Sequence, residues 1–110
     1  MNAAPDSTAA ETADAFAERL FGSLLGWIDL MSVYMGDKLG WYRSLADDGP
    51  ATADELAART RTSARYAREW LEQQAVTGIL SVEDPEGDAA TRRFALPPAH
   101  AEVLLDEVSL

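Results

Sequence analysis

The chain has 110 residues, 47% of them apolar, the size and content of one domain with a single modest core. It has no cysteine, which excludes disulfides, zinc-cysteine sites and thiol nucleophiles and suits a reducing cytoplasm. A formal charge of -10 sets up a field that repels nucleic acid and anionic membrane surfaces, so DNA contact requires a local excess of positive charge.

Residues 1–13 read as a flexible acidic tail, without the basic flank of a secretory signal. Residues 14–110 read as one domain. From 13 to 42 the apolar pattern is helical, with Phe16, Leu20, Leu24, Trp27, Ile28, Met31 and Met35 three or four apart on one stripe. Phe21, Leu25, Leu30, Val33 and Tyr34 add apolar surface outside that stripe, so this helix wants more than one partner. The apolar run 20–35 carries Asp29 at its centre and is too short and too polar to span a membrane.

Gly36 predicts a break, followed by a short helix over 41–46 and a turn at 47–50. Thr52 and Glu55 have capping-box spacing, which starts a helix over 53–59. Ser63 is placed to cap a second helix that runs to about Thr77, with Ala67, Trp70, Leu71 and Ala75 facing inward and Gly78 as its left-handed stop. Two helices joined by a short polar turn make a helix-turn-helix unit. Strands are predicted over 79–83 and 91–96 around a polar turn, forming a hairpin or wing. Pro98 then opens a last helix through Leu105. The expected fold is mainly α: a winged helix-turn-helix with a small β-hairpin wing, preceded by a long apolar N-terminal helix.

Four segments in this order, GDKLGWYRSLA from Gly36, GPATADELAART from Gly49, YAREWL from Tyr66 and FALPPAH from Phe94, carry a resemblance over roughly 16–105. The chain resembles the N-terminal winged-helix domain of a bacterial family of class I S-adenosylmethionine-dependent methyltransferases. The resemblance implies a dimerisation and substrate-capping role, with a homodimer or a separate methyltransferase chain as partner and a small molecule as substrate. S-adenosylmethionine is implied for a catalytic α/β domain, because no strand followed by a G-x-G turn occurs in this chain. No activity is expected from the chain alone, and no catalytic or metal-binding residue is assigned.

Individual side chains follow from these two readings. Leu20, Leu24 and Ile28 are the expected dimer interface. Trp27, Met31, Tyr34 and Met35 offer aromatic and thioether groups suited to a pocket for a flat substrate, although such a stripe also suits plain core or interface. Gly22 and Gly26 form a small-xxx-small pair that permits close helix approach or a simple bend. Arg59, Arg61, Arg65 and Arg68 concentrate four of the nine basic residues at the helix-turn-helix. Arg61, Arg65 and Arg68 are the DNA contacts of an alternative reading as a free-standing transcriptional regulator. Against that reading stand acids at the wing tip, Glu83, Asp84, Glu86 and Asp88, and expected pairs Arg65 to Glu69 and Arg68 to Glu72. The acidic turn lacks calcium-loop spacing, and His100, without metal or general-base partners in sequence, reads as a surface or helix-start histidine.

Overall fold

A computed structural model describes residues 10–106. Within them lie helices α1 (Ala13–Lys38), α2 (Trp41–Asp48), α3 (Ala53–Thr60) and α4 (Ala64–Val76), strands β1 (Ser81–Val82) and β2 (Phe94–Ala95), and helix α5 (Pro98–Leu104). The chain divides between Met31 and Ser32 into two compact units, and α1 contributes to both.

The first unit is helical from Ala13. The expected tail lies outside the described residues as far as residue 9. Thr12 closes the start of α1, its hydroxyl accepting from the Ala15 N–H at 3.1 Å, and Arg19 reaches back to Glu11 through two bonds of 3.0 and 3.1 Å. Phe16, Leu20, Phe21, Leu24, Leu25, Trp27, Ile28, Leu30 and Met31 are all exposed.

In the second unit the expected break at Gly36 does not occur: α1 continues to Lys38, and the chain turns at Gly40, where φ is 75°. Gly36 is the buried residue of α1. A methyl group there would meet the rings of Trp70 and Tyr42, so the residue is glycine for lack of space and not to end a helix. Trp70 also donates its indole N–H to the Ser32 carbonyl at 2.9 Å, a second tie to the same turn of α1.

The short helices are built as their caps dictate. In α3 the Thr52 hydroxyl accepts from the Glu55 N–H at 3.2 Å while the Glu55 carboxylate accepts from the Thr52 N–H at 2.9 Å. In α4 the Ser63 hydroxyl accepts from the Tyr66 N–H at 3.3 Å. Gly78, with φ of 81°, follows the helix end at Thr77. The inward face of α4 contains the predicted Ala67, Trp70 and Leu71, with Ala75 partly buried.

Trp41, Tyr42, Leu45, Leu56, Leu71 and Phe94 complete this core, with Trp70 inclined to the Trp41 ring at 4.8 Å and set edge-on to Tyr42 at 5.0 Å between centroids. One polar pair is buried inside it: the Tyr42 hydroxyl bonds to the side-chain carbonyl of Gln74, a residue with no exposed surface. The Trp41 indole N–H is satisfied by Thr60 at 3.2 Å and Thr62 at 3.0 Å.

The wing is shorter in strand than the alternating pattern predicts. Only Ser81 with Ala95 and Val82 with Phe94 pair, antiparallel. The N–H groups of Ile79 and Leu80 are drawn back to the Gln74 carbonyl, at 3.0 and 3.2 Å, and that of Thr91 to the Asp88 carbonyl at 3.0 Å, so local turns take donors that a longer ladder would need. In exchange Phe94 forms a bridge with Ala51, each N–H donating to the other's carbonyl at 2.8 and 3.0 Å. That bridge ties the wing to the start of the helix-turn-helix.

Candidate functional site

The basic residues of the helix-turn-helix separate into inward and outward groups. Arg59 turns inward and donates to the carbonyls of Gly49 at 2.8 Å and Pro50 at 3.1 Å, holding the turn before α3. Arg61 is the one non-glycine residue of positive φ among those described, at 59°; its backbone N–H closes α3 on the Ala57 carbonyl. Its side chain is exposed, as are those of Arg65 and Arg68. Ala64, Arg65, Arg68 and Glu69 line an open depression of about 420 Å³ at the start of α4. Arg65 faces Glu69 at 3.7 Å, as its spacing predicts.

The expected pair of Arg68 with Glu72 is not formed. Glu72 is held instead by Arg92 of the wing, through two bonds of 2.7 and 2.8 Å from one guanidinium nitrogen. A second nitrogen of Arg92 donates to the Gly87 carbonyl at 3.2 Å. Arg93 donates to Glu55 at 3.0 Å and to the Pro50 carbonyl at 2.8 Å, and lies 3.6 Å from Glu83. Both wing arginines thus point at carboxylates of their own domain, and sequence reasoning missed both contacts. Pairs 20 and 38 residues apart leave no periodic signal, since the i,i+4 rule reaches only along one helix.

Two pKa shifts accompany this network. The Glu55 carboxyl is held below the ordinary glutamate value by the Thr52 backbone N–H first; burial opposes this next, and Arg93 and then Arg59 lower the value further. Burial pushes the Tyr42 phenol well above its ordinary value, and Asp37 adds to the rise.

Of the expected pocket residues, Trp27 and Met31 lie in the first unit and Tyr34 and Met35 in the second, and all four are exposed. Lys38 sits over the Tyr34 ring at 5.5 Å. Leu20, Leu24 and Ile28 are 52%, 50% and 42% exposed. A methyl group added at Gly22 or Gly26 would meet nothing within 4 Å. His100 stands in the first turn of α5 with Nδ1 2.7 Å from the Ile79 carbonyl. A carbonyl only accepts, so Nδ1 carries the proton and the ring ties α5 to the root of the wing. With Gly78, Ile79, Ala99, Val103 and Leu104 it lines an apolar hollow of about 280 Å³.

Among the described residues no three His, Asp or Glu side chains converge to hold a metal, and no helix is long and apolar enough to cross a membrane.

Three solved structures share this fold. The chain superposes on RosA, an N,N-8-amino-8-demethyl-D-riboflavin dimethyltransferase from Streptomyces davawensis, with a TM-score of 0.63 and 30% identity, covering 84% of this chain and 24% of RosA. It superposes on human N-acetylserotonin methyltransferase in complex with SAM at a TM-score of 0.65 and 23% identity, covering 86% of this chain and 26% of that one. PigF with SAH gives a TM-score of 0.64 and 22% identity, over 82% of this chain and 24% of PigF. The chain therefore spans about a quarter of the length of each. No curated protein matches the sequence significantly. Residues 26–105, which include the capped helix pair, the wing and all of α5, match the family model of the Rv2258c-like winged HTH domains, and the chain belongs to that family.

Proposed function

We propose that this chain is the non-catalytic dimerisation and substrate-capping domain of a small-molecule S-adenosylmethionine-dependent methyltransferase, or a small subunit that completes such an enzyme. The observation that carries the reading is the likeness to three proteins, two named as methyltransferases and one seen with SAH, over about a quarter of each. In this reading Leu20, Leu24 and Ile28 pair α1 with a second copy. Trp27, Met31, Tyr34 and Met35 form the wall that orients an acceptor and excludes water. S-adenosylmethionine is held by a separate catalytic domain or partner chain, in a reducing cytoplasm.

The reading assigns no group of this chain to methyl transfer. A class I cofactor site uses a strand end and a glycine turn that lets backbone N–H groups reach the ligand. Gly40, Gly49 and Gly78 serve helix starts and ends, and Gly87 lies in the wing loop.

A second reading, a DNA-binding regulator, draws on the exposed Arg61, Arg65 and Arg68. The pairing of both wing arginines with carboxylates and the net charge of -10 weigh against it, because phosphate contact depends on free cations. Titration calorimetry of the chain with S-adenosylmethionine tests the division of labour. No saturable heat is expected, and binding at micromolar affinity would overturn it. Tight, sequence-selective DNA binding that is lost in Arg65→Ala and Arg68→Ala would favour the second reading.

A further inference from the structure

The wing loop has little backbone holding it. After the N–H of Glu83 donates to the Arg93 carbonyl at 3.0 Å, the described backbone bonds within residues 84–92 are local turns, Gly87 to Asp84 and Thr91 to Asp88, both 3.0 Å. Two paired residues on each side and two isolated turns do not fix a loop of this length by themselves. The contact that crosses from loop to helix is the guanidinium of Arg92. One nitrogen holds both oxygens of Glu72 on α4, another holds the Gly87 carbonyl in the far part of the loop, and the side chain is only 19% exposed. Its Nε is buried with no partner in the protein.

We propose that Arg92 is a latch that holds the wing loop closed on α4, and that the loop swings open as a unit when the Glu72 carboxylate is lost. Physical asymmetry supports the choice of this pair over its neighbour. Arg93 and Glu55 are 42% and 47% exposed, and an exposed pair contributes little beyond what water replaces. Arg92 is largely withdrawn from water, so removal of Glu72 leaves a poorly hydrated charge with no carboxylate and only the Gly87 carbonyl as partner. Its nearest relief is to move outward, and because the same guanidinium holds Gly87, the loop moves with it. The latch makes the wing and α4 one wall, while residues 51 and 94 keep the base of the hairpin anchored.

Limited trypsin digestion of the full chain reads this directly, because Arg92 enters a protease site only when its side chain and loop are free. Cleavage after Arg92 is compared with cleavage after the exposed Arg61 in the wild type, Glu72→Ala and Glu72→Gln. The ratio of the two rates should rise about ten-fold or more in Glu72→Ala, and less in Glu72→Gln, which retains one acceptor. Tyr42→Phe, which weakens the core but leaves the Arg92–Glu72 pair in place, should leave the ratio unchanged. An unchanged ratio in Glu72→Ala, or an equal rise in Tyr42→Phe, would overturn the latch. Neither result bears on methyltransferase membership, which the cofactor titration addresses separately.

Discussion

Two single residues expose how this small core is specified. Tyr42 and Gln74 form a polar pair inside an otherwise apolar cluster, and burial keeps the phenol neutral far into the alkaline range. Tyr42→Phe leaves the Gln74 carbonyl without its donor and should cost about 1–3 kcal/mol, read as a lowered denaturation midpoint. Because the folded-state value of Tyr42 is raised, its contribution is complete below the ordinary tyrosine value and is lost as pH climbs above it. The wild type should therefore lose its advantage over Tyr42→Phe in alkali. Glu55 has the opposite sign. Its depressed value means that its contribution is present above the ordinary glutamate range and disappears as pH falls through the folded-state value. Glu55→Gln should be less stable than the wild type at neutral pH and equal to it in strong acid, as compared by thermal denaturation at the two ends. A difference that persists in acid would place the effect in packing and not in charge.

At the scale of elements, what the sequence reveals depends on the range of the interaction that makes each element. The caps at Thr52 and Ser63, the stop at Gly78 and the proline at the start of α5 are local, and all are legible from neighbouring residues. Gly36 was not, because the atoms that require it belong to the rings of Tyr42 and Trp70 on two other helices, and a glycine in a helical pattern looks the same whether it ends the helix or admits a ring. Gly36→Ala gains helix propensity, yet should destabilise by about 1–3 kcal/mol through overpacking, a sign that equilibrium unfolding decides. A stabilised variant would show that the rings move aside freely. The strands were overextended for a different, local reason: alternation at 79–83 is real, but the Gln74 carbonyl at the end of α4 takes two of its donors. The Ala51 bridge and the wing arginines, which join segments far apart in the chain, left no trace in either period.

On the scale of the whole molecule, the proposed protein contact draws on two features together, the acidic charge and the concentration of exposed apolar side chains on α1. The fold class was legible because the order of caps, turns and apolar faces is itself the order of a winged helix. The partner was not, because an exposed leucine carries no record of what covers it. Leu24 and Ile28 are half exposed, the pattern of a surface that gains by burial at roughly 25 cal/mol per Å² of apolar area. The central claim, an interaction domain that pairs through α1, is tested most directly by sedimentation equilibrium of this chain beside Leu24→Glu and Ile28→Glu. The account predicts a reversible dimer for the wild type and monomers of unchanged helix content for both variants. A wild-type chain that stays monomeric at high concentration with its native fold intact would contradict it.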